Sequence, residues 1–208
     1  MLSQKGFCVN KRLLLTLLVI VLLLTLAHLF SENLHPLLHD RFDLDQEGNV
    51  PTWFSTILLY SIAGISYLIL VNVQRTDDCR KETLFWGMLC AAFLFLSFDE
   101  AAQIHELLDD LQLVKWVFVY APFVILFLYF YFYFLYCEKC ERSFRNWLTV
   151  GILLYIGGGY LLEMLTYFLQ PLPAYLGELE PLFEEVSEMV GAVLILVGVE
   201  ARWRLVKD

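Results

Sequence analysis

The chain has 208 residues, of which 59% are hydrophobic, 16% are aromatic and only 18% are charged. Soluble domains carry about 25% charged residues, so this composition excludes an ordinary soluble domain. The net charge is −9, and no basic patch of the kind that binds nucleic acid is present. The hydrophobic residues lie in runs of about 20 residues, which is the length that crosses a bilayer as a helix.

Six apolar runs follow one another along the chain. They are residues 13–30, 53–73, 83–101, 114–136, 148–170 and 181–200. Each run is expected to be helical, because lipid cannot satisfy the backbone polar groups of an open strand. Little of the chain remains for a soluble domain. The sequence therefore predicts an all-α fold, a single transmembrane helical domain over residues 1–208, built as an integral membrane bundle of six transmembrane helices.

Basic residues are sorted to alternate segments of the chain. Twelve of the 14 Lys and Arg residues lie before the first run, between the second and third, between the fourth and fifth, or after the sixth. Only Arg41 and Lys115 fall in the other segments. Because Lys and Arg concentrate in short cytoplasmic connections, both the N- and C-termini are predicted to be cytoplasmic.

Acidic residues show the opposite sorting. The outer segments and outer ends of the runs hold 16 of the 23 Asp and Glu residues and all four histidines. Orientation alone explains loop acids such as Glu178 and Glu180. It does not explain acids inside the runs, where an ionised carboxylate is costly and usually pairs within the bundle. Arg41 and Lys115 are too few to pair with them, which leaves shared protons, water or a bound metal cation.

A divalent metal is the sharpest hypothesis for these acids. The candidate ligands are Asp99, Glu100, His105, Glu106, Glu163, Glu184 and Glu188. Carboxylates with imidazoles suit Zn, Mn or Fe, whereas carboxylates alone suit Ca or Mg. The alternative is that the acids are protonated, hydrogen-bonded and structural. The glycine run at residues 157–159 is interpreted as packing, because it allows close helix approach or a local kink.

The first outer loop holds a second candidate cluster. Its residues are His35, His39, Asp43, Asp45 and Glu47. The spacing of Asp43, Asp45, Glu47 and Gly48 is that of the start of a calcium-binding loop, but the twelfth position is Phe54 instead of the required Glu. A loop that packs over the bundle, with its Asp and Asn side chains forming turns, is therefore the favoured interpretation.

Two segments resemble a known family. FDLDQEGNVPTWFS (residues 42–55) and LSFDEAAQIHE (residues 96–106) are similar to a family of uncharacterised bacterial multipass (six-span) membrane proteins. In that family an acidic outer loop with Pro-Thr-Trp precedes a Ser-x-Asp-Glu…His-Glu segment. The resemblance covers roughly residues 40–110 and brings no activity with it. It implies a prokaryotic cytoplasmic (inner) membrane location.

Three functions stay open at this point. As an enzyme, the protein would use a metal to activate water, and Glu106 and His105 are the first candidates for the catalytic groups. As a proton or cation transporter, it would use Glu163 and Glu188 as carriers, although the inner halves of the runs have few polar residues. As a structural or accessory subunit, it would dock a membrane-protein partner. Each hypothesis places the chain in contact with the lipid bilayer.

Overall fold

A computed structural model of the chain describes residues 7–74, 80–111, 114–137, 141–171 and 173–207. The basic residues Lys5, Arg75 and Lys139, which contribute to the predicted orientation, lie outside the described residues. All regular structure in the described ranges is helical, as the sequence predicts.

The helices follow one another with short connections. In chain order they are α1 (Lys11–Leu34), α2 (Pro36–Phe42), α3 (Val50–Val73), α4 (Arg80–Ala102), α5 (Ile104–Asp110), α6 (Trp116–Cys137), α7 (Arg142–Ile156), a π-helical turn (Gly157–Leu161), α8 (Leu162–Leu169) and α9 (Ala174–Lys207). α2 and α5 are single short helices at the same end of the bundle, where Glu47 of the α2–α3 loop contacts His105 of α5.

Five helical segments are long and apolar enough to cross a membrane. They are Lys11–Ser31, Val50–Val73, Lys81–Ala102, Trp116–Tyr136 and Arg142–Leu169. Large apolar side chains on these segments are exposed, including Leu15 at 65% and Phe123 at 72%. Such extensive apolar surface is unfavourable in water and is expected in lipid. The chain is therefore a membrane protein, and the first five predicted runs coincide with these helices.

The sixth predicted run lies within α9, which is long but carries more charge than the other five. Glu184, Glu185 and Glu188 lie near its start. α9 packs against α1, α3 and α7, and its side chains at Met189 and Val193 are 1% and 0% exposed. A helix in this position carries carboxylates at lower cost, because they face other helices instead of lipid.

α7 and α9 approach each other closely through two glycines. A Cβ atom at Gly191 would lie 2.5 Å from the backbone nitrogen of Tyr155 and 2.8 Å from the carbonyl oxygen of Gly151. A Cβ atom at Gly151 would lie 2.7 Å from Ile195 Cγ1. Small residues let helix backbones come this close, which is a common way to pack helices in lipid.

Large side chains fill the end of the bundle where α4 and α7 begin. The rings of Phe85 and Phe134 stack with their centroids 4.0 Å apart. Trp86 and Tyr131 are each 1% exposed, and the Tyr131 hydroxyl donates to the carbonyl oxygen of Leu148 at 2.9 Å. The described basic residues of α7 and α9 lie at this end. For example, Arg202 contacts Glu82 of α4 at 3.4 Å.

The close contact between α7 and α9 predicts a large effect of a single methyl group. Gly191→Ala should destabilise the protein by about 1–3 kcal/mol, because the new Cβ overlaps backbone atoms that cannot move aside. Gly64→Ala is the matched control, since a Cβ there meets nothing within 4 Å. Thermal unfolding in detergent measures both. An unchanged midpoint for G191A would contradict the close contact.

Candidate functional site at the acidic end of the bundle

The loop between α2 and α3 is organised by its own side chains. Asn49 caps α3: its Oδ1 accepts from the backbone N–H of Thr52 at 3.3 Å and from the Thr52 hydroxyl at 3.1 Å. Its Nδ2 donates to the carbonyl oxygens of Asp43 and Gln46. Asp43 Oδ1 accepts from the N–H of Asp45 at 3.1 Å, which closes a turn. The Asp and Asn side chains of this loop thus form a turn and a helix cap, as the favoured interpretation of the loop predicts.

The histidines of the second candidate cluster serve the same local structure. His35 caps α2, with Nδ1 accepting from the N–H of Leu37 at 3.2 Å. His39 Nε2 and His28 Nδ1 each lie 3.4 Å from a carboxylate oxygen of Asp43. Asp45 is exposed. Of the five predicted residues, the structure therefore brings together His39, Asp43 and Asp45. His35 serves the cap of α2, and Glu47 reaches a different helix.

His105 is held between two carboxylates. Its Nε2 lies 2.9 Å from Glu47 Oε1, and its Nδ1 lies 3.3 Å from Asp99 Oδ2. The backbone N–H of His105 and the hydroxyl of Tyr120 donate to Asp99 Oδ1 at 3.0 and 3.1 Å. Gln103, in the left-handed region with φ 56°, separates α4 from α5 and turns the chain back towards Asp99. We call this arrangement of His105, Glu47 and Asp99 the His105 clamp.

The clamp changes the charge of the imidazole. Burial alone would lower the pKa of His105, but the hydrogen bonds to Asp99 and Glu47 and the negative charge of both outweigh it. The net effect of these interactions is to raise the pKa of His105 from 6.5 to about 11. The ring is therefore an imidazolium at neutral pH, and both its nitrogens are engaged by carboxylates. This cation joins the α2–α3 loop to the end of α4.

Glu106, the other catalytic candidate, lies apart from the clamp. Its side chain is exposed, although it follows His105 directly in α5. Partial burial and the negative charge of Glu47 raise the pKa of Glu106. The two candidate catalytic residues are therefore in different surroundings, one held by two carboxylates and the other facing outward.

Lys115 provides a second cationic link. Its Nζ lies 2.7 Å from Asp109 Oδ2 and 2.6 Å from Glu163 Oε1. Asp109 also accepts from the backbone N–H of Trp116 at 2.7 Å, at the start of α6. Lys115 thus connects α5 and α6 with α8. Glu163, which the sequence places in an apolar run without a partner, has this ammonium group beside it.

Three carboxylates converge next to Lys115. Glu163 of α8 and Glu180 and Glu184 of α9 each offer an oxygen, and these atoms lie within 4.8 Å of one another. Among the residues that the structure describes, these three are the His, Cys, Asp or Glu side chains that lie close enough together to hold a metal ion. We call it the carboxylate triad. The sequence predicts Glu163 and Glu184 as ligands but assigns Glu180 to orientation, although Glu180 is one helical turn before Glu184 on the same face.

A cavity of about 560 Å³ lies beside the triad, between α4, α6, α7, the π turn and α9. Carboxylates and tyrosines line one part of it: Asp99, Glu100, Glu184, Glu185, Glu188, Tyr120, Tyr155 and Tyr160. Glu47, His105 and Trp116 line it as well, and apolar side chains line the rest. Two predicted ligands, Glu100 and Glu188, therefore line the same cavity as Glu185, which is not among the predicted ligands. The signal for Glu185 was its position three residues before Glu188, on the same helix face.

The π turn makes room for Glu188. A Cβ atom at Gly159 would overlap the Glu188 carboxylate oxygen Oε1, and one at Gly158 would overlap Ser187. Only glycine at position 159 leaves this space free. The glycine run therefore does more than allow a close approach of helices, since it seats a carboxylate at the wall of the cavity.

The family described as Domain of unknown function (DUF8692) matches residues 12–202, and the chain belongs to that family. No curated protein and no solved structure matches the chain. The family match covers both segments that carry the resemblance to uncharacterised membrane proteins, and it assigns no reaction.

The His105 clamp predicts a specific pH dependence of stability. Because the folded-state pKa is raised, the stabilisation is complete below pH 6.5, declines as the pH rises and is lost near pH 11. His105→Gln should lower the thermal midpoint at neutral pH and reduce its decline across this interval. The midpoint is measured against pH in detergent.

His35→Asn is the matched control for this experiment. It replaces another histidine at the same end of the bundle and retains a side-chain acceptor for the cap of α2. Its decline with pH should match that of the wild type. An unchanged decline in H105Q would show that His105 is not charged in the folded protein.

Proposed function

We propose that this membrane protein has six spans and binds a hard divalent cation at its outer face through Glu163, Glu180 and Glu184. Both termini are cytoplasmic, and the bundle resides in a prokaryotic cytoplasmic membrane. The carboxylate triad is the observation that carries the cation-binding proposal, since three ligand oxygens lie within 4.8 Å of one another.

The position of α9 supports six spans. The helix has 34 residues, or about 51 Å at 1.5 Å per residue, which exceeds the hydrocarbon core of about 30 Å. Near its end, Arg204 donates to the carbonyl oxygen of Cys8 at 2.9 Å, just before α1. The two ends of the chain are therefore on one side of the bundle. This side carries the basic residues, which favours the cytoplasm.

The chemistry of the triad favours calcium or magnesium over zinc or iron. All three ligands are carboxylates, which suit hard cations, whereas zinc and iron prefer sites that include imidazole or thiolate. His105 already donates both its ring N–H groups to carboxylates, so its nitrogens are occupied. Lys115 neutralises at most one charge of the triad, and a divalent cation would balance the other two.

The packing of the basic half supports binding over transport. Phe85, Trp86 and Tyr131 are buried there, and none of the three lines the cavity. The catalytic candidates give less support to an enzyme, because His105 is clamped and Glu106 is exposed. For an accessory subunit, the triad would be a docking site, but no contact among the described residues favours that hypothesis.

Cation binding is tested by titrating the purified protein with Ca²⁺ in a calorimeter. One saturable site is expected, and Glu180→Gln should weaken binding at least about tenfold, equivalent to about 1.4 kcal/mol, because a charged ligand is lost. Asp110→Asn is the matched control, since it removes an exposed acid from the same end of the bundle. Its affinity should equal that of the wild type.

Two results would overturn this assignment. One is Ca²⁺ binding that is indifferent to E180Q. The other is preferential binding of Zn²⁺ that disappears in His105→Ala, which would return the site to a ligand set that includes the imidazole.

The orientation is tested with a reporter that fluoresces only in the cytoplasm. Fusion to either terminus should give fluorescent cells, whereas insertion after Asp45, in the exposed part of the α2–α3 loop, should not. A fluorescent N-terminal fusion with a dark C-terminal fusion would contradict the sixth span.

A further inference from the structure

The cavity has the dimensions of a slot along the helices. Its lining extends on α4 from Met88 to Glu100 and on α6 from Trp116 to Phe130. These segments are about 18 and 21 Å long at 1.5 Å per residue, whereas the hydrocarbon of one leaflet is about 15 Å thick. A volume of about 560 Å³ over this length gives a mean cross-section of about 30 Å². The slot therefore fits a single hydrocarbon chain.

The slot opens towards the lipid. Phe95 of α4 and Phe123 and Phe130 of α6 line it, yet they are 47%, 72% and 48% exposed. These side chains thus border both the cavity and the apolar surface of the bundle. A hydrocarbon chain can enter sideways between α4 and α6 without leaving an apolar environment.

Three carboxyl groups line the other end of the slot. Glu100, Glu185 and Glu188 are close enough to repel one another electrostatically. They have no hydrogen-bonding or ion-pairing partner among the described residues, and the cation beside them, His105, is already held by Glu47 and Asp99. The Glu188 carboxylate occupies the space that the missing side chain of Gly159 leaves free. This end of the cavity can therefore take a positively charged group whose N–H donors bind the three carboxyl groups.

Aromatic rings stand beside these carboxylates. The ring centroid of Trp116 is 5.4 Å from that of Tyr120 and 5.9 Å from that of Tyr160, and both contacts are edge-to-face. All three rings line the cavity. Aromatic faces next to carboxylates form the surroundings that recognise ammonium groups, through cation–π attraction and charge-assisted hydrogen bonds.

We propose that this cavity binds an amphiphile with an ammonium head and places one of its hydrocarbon chains in the slot. The head lies among the carboxylates of Glu100, Glu185 and Glu188, and the chain reaches the slot between α4 and α6. The proposal extends the proposed function to a ligand class and rests on it only for the membrane-spanning arrangement. Of the carboxylate triad, only Glu184 lines the cavity.

The charge at the polar end selects against other heads. An anionic head would lie against three carboxylates and be repelled. A neutral hydroxyl head would supply one hydrogen-bond donor and no charge, whereas an ammonium head supplies up to three donors and a positive charge. The selectivity of binding therefore depends on the charge of the head, with the hydrocarbon chain held constant.

The test compares three probes of equal chain length, hexadecylamine, hexadecanol and hexadecanoic acid, added to the protein in lipid nanodiscs. The amine should bind saturably, one per protein, at least about tenfold more tightly than the other two, a difference of about 1.4 kcal/mol. Glu188→Gln should remove most of this preference and leave binding of the alcohol unchanged. Equal binding of the three probes, or no saturable binding of the amine, would overturn the proposal.

The position of the chain is tested separately. Ala91→Trp narrows the slot and should weaken binding of the amine at least about tenfold, whereas Ile125→Trp should not, because Ile125 is 68% exposed on α6 and does not line the cavity. A hexadecylamine that carries a photoreactive diazirine on its chain should label wild-type α4 and α6. Labelling confined to other helices would overturn the slot, whether or not the A91W protein folds.

The two proposals fail in different ways. E180Q should weaken Ca²⁺ binding at least about tenfold and retain amine binding. E188Q should remove most of the preference for the amine and retain Ca²⁺ binding. Calcium binding without amine binding would support the proposed function and overturn this inference. Amine binding without calcium binding would support the inference and overturn the assignment of the carboxylate triad as a cation site.

Discussion

The acidic end of this protein depends on one constraint. Carboxylate charges inside a bundle that is surrounded by lipid must be compensated by positive charge or hydrogen bonds. Two cations meet it, and each does so between elements that are separate in sequence. His105 joins Glu47 of the α2–α3 loop to Asp99 of α4, and Lys115 joins Asp109 of α5 to Glu163 of α8. The same contacts therefore lower the cost of the charges and hold the short helices in place.

The interior helix α9 imposes a second constraint. It brings charged residues into the bundle and packs closely on α7, where Gly151 and Gly191 meet without side chains. Further along the helix, α7 gives way to a π turn that begins at Gly157, and Gly159 leaves the space that the Glu188 carboxylate occupies. π turns often occur at functional sites because they reposition side chains within an otherwise regular helix. Here the turn combines tight packing with an acidic wall of the cavity.

Much of the fold was predictable from local sequence, and less of the site was. Long apolar runs define the first five spans, because hydrophobic length is a property of one segment. α9 was harder to assign, since its charges are tolerated only through its contacts with α1, α3 and α7. Glu163 and Glu184 stand out as acids in apolar runs, whereas Glu180 looks like an ordinary loop acid until α8 brings Glu163 to it. The partner of His105, Glu47, lies 58 positions earlier in the chain, so no spacing rule reveals the clamp.

Glu47 also connects the outer loop to the cavity. One carboxylate oxygen contacts His105, and the residue contributes to the cavity lining. Asn49, two positions later, does not line the cavity, but it fixes the loop through the carbonyl oxygens of Asp43 and Gln46. The shape of the cavity therefore depends partly on residues that do not line it. A substitution of Asn49 would release the loop that carries Glu47, so one change outside the cavity would alter the lining of the cavity together with the stability of the protein.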